Sequence, residues 1–192
     1  MGTRQASEQG LRTASIVARE LALHKVTVVS GLAKGIDTAA HRAALEAGGR
    51  TAAVIGTGIN RFYPGENRTL QQWIAHEGAV ISQFWPDAPP VKQSFPMRNA
   101  VMSGYAAAPV VVEAPWKSGA RIQARLALEH GRSVVMPDQL LEHDWTREYA
   151  EKPGVYVASS LEELLSVVEQ SISDLHTGPD ALPETAYLVE TG

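Results

Sequence analysis

Hydrophobic positions recur at helical spacing over residues 7–23. Leu11, Ala14, Ala18 and Leu21 share one face there, behind Ser7, whose hydroxyl suits the cap of a first turn. A β-branched run follows, Val26-Thr27-Val28-Val29, closed by Ser30-Gly31. Its near-continuous apolarity is what a strand covered on both faces requires. The alternation then repeats. It predicts helix over 36–47, stopped by Gly48-Gly49, then strand over 51–55, helix over 66–76 and strand over 79–82. Pro86, Pro89, Pro90 and Pro96 make 83–96 an irregular excursion. Beyond it come helix 97–107, strand 109–113, helix 118–130 and strand 133–136. A weaker pattern gives helix 139–151, strand 154–157 and helix 160–173. Residues 174–192 mix Pro, Gly and acids without period and are expected to form a flexible tail.

Short strands alternating with longer helices predict an α/β fold. The expected form is a doubly wound, mostly parallel Rossmann-like sheet with helices on both faces. Residues 1–136 are read as its core and 137–173 as an acidic α/β extension packed on it. Sheets of this kind take ligands beyond the C-terminal ends of their strands, so the loops after strands carry the functional information.

Composition narrows the class. At 44% hydrophobic residues, the 192-residue chain is not a disordered one. It has no apolar run of membrane-span length and no apolar core near Met1 of signal-peptide type, so cytoplasm is the expected compartment. Zero cysteines exclude disulfides, thiolate metal sites and thiol nucleophiles. Net charge is −4, unevenly spread: residues 1–135 carry +6 and residues 136–192 carry −10. A polyanion is expected to dock on the basic body, although scattered surface charge explains the same count.

Four loops stand out. The first reads Ser30-Gly31-Leu32-Ala33-Lys34-Gly35-Ile36-Asp37 and opens a helix. Its glycines allow close backbone approach, the helix start offers unpaired N–H groups, and Lys34 adds charge. Asp37 is placed to cap N–H groups or to accept from a sugar or base. A plain strand-to-helix turn is the competing reading. The second, Gly56-Thr57-Gly58-Ile59-Asn60-Arg61, begins like a dinucleotide fingerprint, but Arg61 replaces the third glycine and no helix follows directly. Phe62 and Tyr63 after it either stack on bases or, more often for aromatics, plug the top of the sheet. Glu66-Asn67-Arg68 follows. In the third, Ser94 to Asn99, Arg98 stands at a helix start, against the dipole. An anionic partner explains this, and so does pairing with an acid such as Glu113. The helix continues through Ser103. In the fourth, Glu113-Ala114-Pro115-Trp116-Lys117-Ser118-Gly119, the last two residues read as another helix cap. No P-loop, H-E-x-x-H, G-x-S-x-G or metal-ligand cluster occurs, so no catalytic residue and no cofactor is assigned.

In this order the loops resemble the DNA-processing protein A (DprA/Smf) family. The matching pieces are Gly2-Thr3-Arg4, VVSGLAKGIDTAAH at 28–41, GTG at 56–58 and YPGEN at 63–67. FPMRN at 95–99, VVEAPWKSGA at 111–120 and ARLALEHGR at 124–132 complete them. The resemblance implies a single-stranded-DNA-binding protein that protects DNA, assists a RecA-type recombinase and works as a homodimer. Carried over by position, it implies binding roles for Lys34, Gly35, Asn67, Arg98, Asn99, Ser118 and Gly119; together with the loops read above, the expected phosphate-binding set adds Thr3, Arg4, Ser30, Gly31, Asp37, Gly56, Thr57, Gly58, Ser103 and Glu113. It also implies a strand directly before Gly2-Thr3-Arg4, and Pro137-Asp138 stands where the family has Pro-Gly. The alternative is a small-nucleotide sensor or a phosphoribohydrolase-like enzyme. Its Pro-Gly-Gly-x-Gly-Thr signature is absent, and Glu113 is the one acid placed to assist such chemistry.

Overall fold

In the computed structural model, residues 1–115 and 119–177 are described. The elements are α1 (Glu8–Leu23), β1 (Val28–Ser30), α2 (Ile36–Glu46), β2 (Thr51–Val54), α3 (Arg68–Glu77), β3 (Ala79–Ile81) and α4 (Ser94–Tyr105). They continue with α5 (Gly119–Glu129), β4 (Val134–Pro137), α6 (Asp144–Ala150), β5 (Val155–Ala158) and α7 (Leu161–Thr177). Strands β1, β2 and β3 pair in parallel, with Val28 opposite Thr51 and Ala52 opposite Ala79. Strands β4 and β5 form a second parallel pair, Val134 opposite Val155. All pairing is parallel and helices connect the strands, as the alternating pattern predicts.

Between the three-stranded and the two-stranded sheet, the predicted strand 109–113 is not a regular strand. It holds its place by single bridges, Val110 to Val135 on one side and Gly2 to Glu113 on the other. Pro109 cannot donate to a ladder. Val111 N–H donates to the Val135 carbonyl, while the Met1 ammonium and carbonyl bond Val110 and Val112.

Other boundaries differ for local reasons. Helix α4 begins at Ser94 rather than 97, because Pro96 falls in its first turn, where a missing N–H costs nothing. The predicted helix 139–151 is split. A 3-10 turn over Asp138–Glu142 precedes α6, and the Thr146 hydroxyl bonds the carbonyls of Leu140 and His143 at the joint. Helix α7 runs to Thr177, so residues 174–177 are helical and not tail; the rest of the expected tail lies outside the described residues.

The core lies on both faces of the sheet. Leu32, Ile55, Leu70 and Ile74 pack under α3. Val111, Ala124, Met136, Trp145 and Tyr149 pack on the other pair, so α6 shares a core with residues 111–136. Val17 of α1 meets Val135, Leu164 and Val168. None of the described helices is long and apolar enough to cross a membrane.

Candidate nucleic-acid interface

The sheet's C-terminal edge is organised around one buried cation. Arg98 lies in the first turns of α4, is 5% exposed, and donates through Nη1 to the Val54 carbonyl at 3.0 Å. Gly31 permits this arrangement, since a Cβ there would overlap the guanidinium. Burial pushes the Arg98 pKa down, the nearby Asp37 carboxylate holds it up, and Arg4 lowers it. Its Nε has no hydrogen-bond partner among the described residues. Of the two explanations for Arg98, pairing with Glu113 is not found among the described residues. Glu113 instead accepts from the Ser7 amide at 3.1 Å and from its hydroxyl at 2.8 Å, clamping the start of α1.

Asp37 is buried in the first turn of α2 and accepts from the Ala33 amide at 3.3 Å, so it fixes the 30–37 loop from within. Gly35 sits at φ +79°, which favours glycine, and a Cβ there would come within 2.7 Å of the Thr3 carbonyl. This close approach sets residues 3 and 4 against the start of α2. Thr3 itself turns its hydroxyl to the Gln5 amide. Arg4 is exposed, with its guanidinium 5.1 Å from the centre of the Phe95 ring. Phe95 in turn covers Gly56 and contacts Tyr63 at 5.6 Å.

Lys34 reaches outward and pairs with Glu66 at 2.6 Å, both side chains 55% exposed. Asn67 is buried and donates to the Leu32 carbonyl and the Thr38 hydroxyl, tying the 63–67 loop to the 30–37 loop. Ser30 is buried at the end of β1, and Ser94 donates to the Gly56 carbonyl at 2.6 Å. Gly119, the first residue of α5, faces Asn99 of α4. Thr3, Arg4, Ser30, Gly31, Lys34, Gly35, Asp37, Gly56, Asn67, Arg98, Asn99 and Gly119 therefore gather along one edge.

The remaining expected site residues are placed differently. Thr57 and Gly58 turn toward residues 82–88: the Gly58 amide donates to the Ala88 carbonyl, and Thr57 is 2% exposed. Ser103 is wholly buried between α4 and α5, donating to the carbonyls of Asn99 and Gln123. Ser118 lies outside the described residues. The plug reading of the aromatics divides. Phe62 is half-buried beneath Arg68, whereas Tyr63 is 41% exposed. Sequence reasoning passed over two further residues. Phe95 was legible in its motif as an aromatic three positions from Arg98. Trp85, 86% exposed beside the 56–58 loop, gave no signal beyond its place in a proline-rich stretch.

Among the described residues no group of three His, Asp or Glu side chains is arranged to hold a metal. The edge offers a solvent-facing cation on an aromatic and a second cation paired only at the surface, beside the starts of α2 and α4.

Comparison with known proteins fits this geometry. Residues 1–166 match the sequence profile of the family described as DNA recombination-mediator protein A. The chain is 43% identical over 143 residues to DNA processing protein DprA of Streptococcus pneumoniae, covering 74% of this chain and 50% of that protein. It is 36% identical over 190 residues to protein Smf of Escherichia coli, covering 97% of this chain and 50% of that one. It thus spans about half the length of these relatives. Among solved structures, DprA of S. pneumoniae superposes with a TM-score of 0.75 at 38% identity, covering 86% of this chain and 59% of that one. DprA of Helicobacter pylori, whose structure concerns its single-stranded DNA binding mode, gives 0.78 at 28% identity, covering 88% and 78%.

Proposed function

Because this chain belongs to the DNA recombination-mediator protein A family, we propose that its strand-end crevice binds single-stranded DNA without cleaving it. The observation that carries this reading is Arg4 lying over Phe95, with Tyr63 beyond, at an edge lined by helix starts. Such an arrangement suits a strand that brings phosphates and unpaired bases together. Duplex DNA keeps its bases stacked inside and cannot use the aromatic half of it. The printed subject of the H. pylori structure supports the same ligand. We further propose that the protein protects single strands in the cytoplasm and assists a RecA-type recombinase as a homodimer.

The nucleotide-cleaving alternative depends on Glu113. That carboxylate is spent on Ser7 at the start of α1, so it is not free to assist a leaving group. Fluorescence anisotropy of a labelled oligothymidine tests the proposal. Unlabelled single strands are expected to displace the probe well below the concentration at which duplex or mononucleotides do. Displacement by nucleoside monophosphates at equal concentration, or their hydrolysis, would overturn it.

A further inference from the structure

Trp85 is 86% exposed, yet the backbone that carries it is firmly held. The loop after β3 folds back on the loop after β2. The Ala88 and Pro86 carbonyls accept from the Gly58 and Asn60 amides at 2.9 Å, and Arg61 Nε donates to the Asp87 carbonyl at 2.9 Å. The Ala88 amide closes the turn by donating to the Trp85 carbonyl. Gly58 permits this contact, since a Cβ there would come within 2.2 Å of the Trp85 carbonyl oxygen. Ile59, between the two anchored amides, is 42% exposed as well. An indole displayed on fixed backbone forgoes the burial that normally stabilises so large an apolar side chain.

This loop is continuous with the crevice. Gly56 lies against the Phe95 ring and Gly58 against the Trp85 carbonyl. The two aromatic residues thus stand on one three-residue stretch, whose ends are at most about 7 Å apart. Charge favours a polyanion there. Arg61 and Lys92, both exposed, face the single carboxylate of Asp87 on these two loops. Such charges are what the apolar centre of a protein interface avoids. Building on the single-strand reading above, we propose that Trp85 is a second base-stacking platform. It takes the bases of a strand that leaves Phe95 across the Gly56–Gly58 loop. A flat indole stacks on any of the four bases, so the platform adds affinity and contact length without sequence preference.

Trp85→Ala, Trp85→Phe and Phe95→Ala are compared with the intact protein by anisotropy of an oligothymidine of about 16 nucleotides, long enough to reach both aromatics. Trp85→Ala is expected to bind at least about fivefold more weakly, and Trp85→Phe to recover most of that loss. Irradiating the intact protein with an iodouracil-substituted strand is expected to crosslink Trp85. Unchanged affinity in Trp85→Ala while Phe95→Ala binds weakly would overturn the platform and leave the crevice reading standing. So would the absence of a Trp85 crosslink, or an altered oligomeric state of Trp85→Ala at unchanged DNA affinity, which would make the indole a protein contact. An intact protein that fails to bind the oligothymidine would overturn both readings.

Discussion

At the scale of single residues, Gly31 and Arg98 form one unit. Adding a methyl group at Gly31 forces the buried guanidinium off the Val54 carbonyl. Gly31→Ala is therefore expected to cost about 1–3 kcal/mol in chemical denaturation, the range for overpacking. Much of that cost should vanish when Arg98→Ala is also present, since the clash is gone; a double-mutant cycle checks this. His41 supplies a pH signature. It is wholly buried, and its Nδ1 bonds the Thr51 hydroxyl, which itself donates to the Val28 carbonyl, so the imidazole must donate from Nδ1. Burial pushes its pKa to about 4, with Asp37 opposing and Arg98 reinforcing the shift. The unfolded chain takes up this proton near pH 6.5 and the native state only near 4, so stability falls as pH drops through that window. The loss is on the order of 3 kcal/mol from this group. His41→Gln is expected to flatten the slope between pH 6.5 and 4 in denaturation measured across pH. The sequence placed His41 on a helix but did not show its burial. Spacing names a face, while the partner that buries it comes from another element.

At the scale of elements, what could be read early was what local chemistry decides. Ser7 caps α1 as its type and position predict, and its hydroxyl accepts from the Gly10 amide at 2.9 Å. The clamp on it by Glu113 crosses more than a hundred residues and no local pattern reports it. Glu113→Gln removes the carboxylate from this clamp and is expected to destabilise the fold by about 1 kcal/mol with little change in DNA affinity. A large loss of affinity at unchanged stability would instead place Glu113 in the ligand site. Strand 109–113 shows the converse failure. Val110-Val111-Val112 has strand composition, but pairing depends on neighbours, and Pro109 has no N–H to give a ladder, so among the described residues this stretch forms bridges. Helix α4 starts three residues before the expected 97, because Pro96 reads as a stop although a first turn tolerates it.

For the whole molecule, the uneven charge now has a location. Arg4, Lys34 and Arg68 are exposed along the basic body, while β5 and α7 belong to the acidic region. That distribution, and the order of the glycine loops, made the fold and the edge legible from sequence. Which polar residues face solvent was not legible. Asn67, Ser103 and Arg98 are turned inward to hold the loops, and Arg4 and Lys34 are left to meet a ligand. The most direct test is the salt dependence of oligothymidine affinity in the intact protein and in Arg4→Gln and Lys34→Gln, with Arg12→Gln on α1 as control. Log affinity is expected to fall linearly with log salt, by about 0.7 for each phosphate neutralised, and each site variant should be shallower by one such step. Arg12→Gln should match the intact protein. Affinity indifferent to salt, or identical slopes in all four proteins, would contradict a phosphate-binding edge built on Arg4 and Lys34.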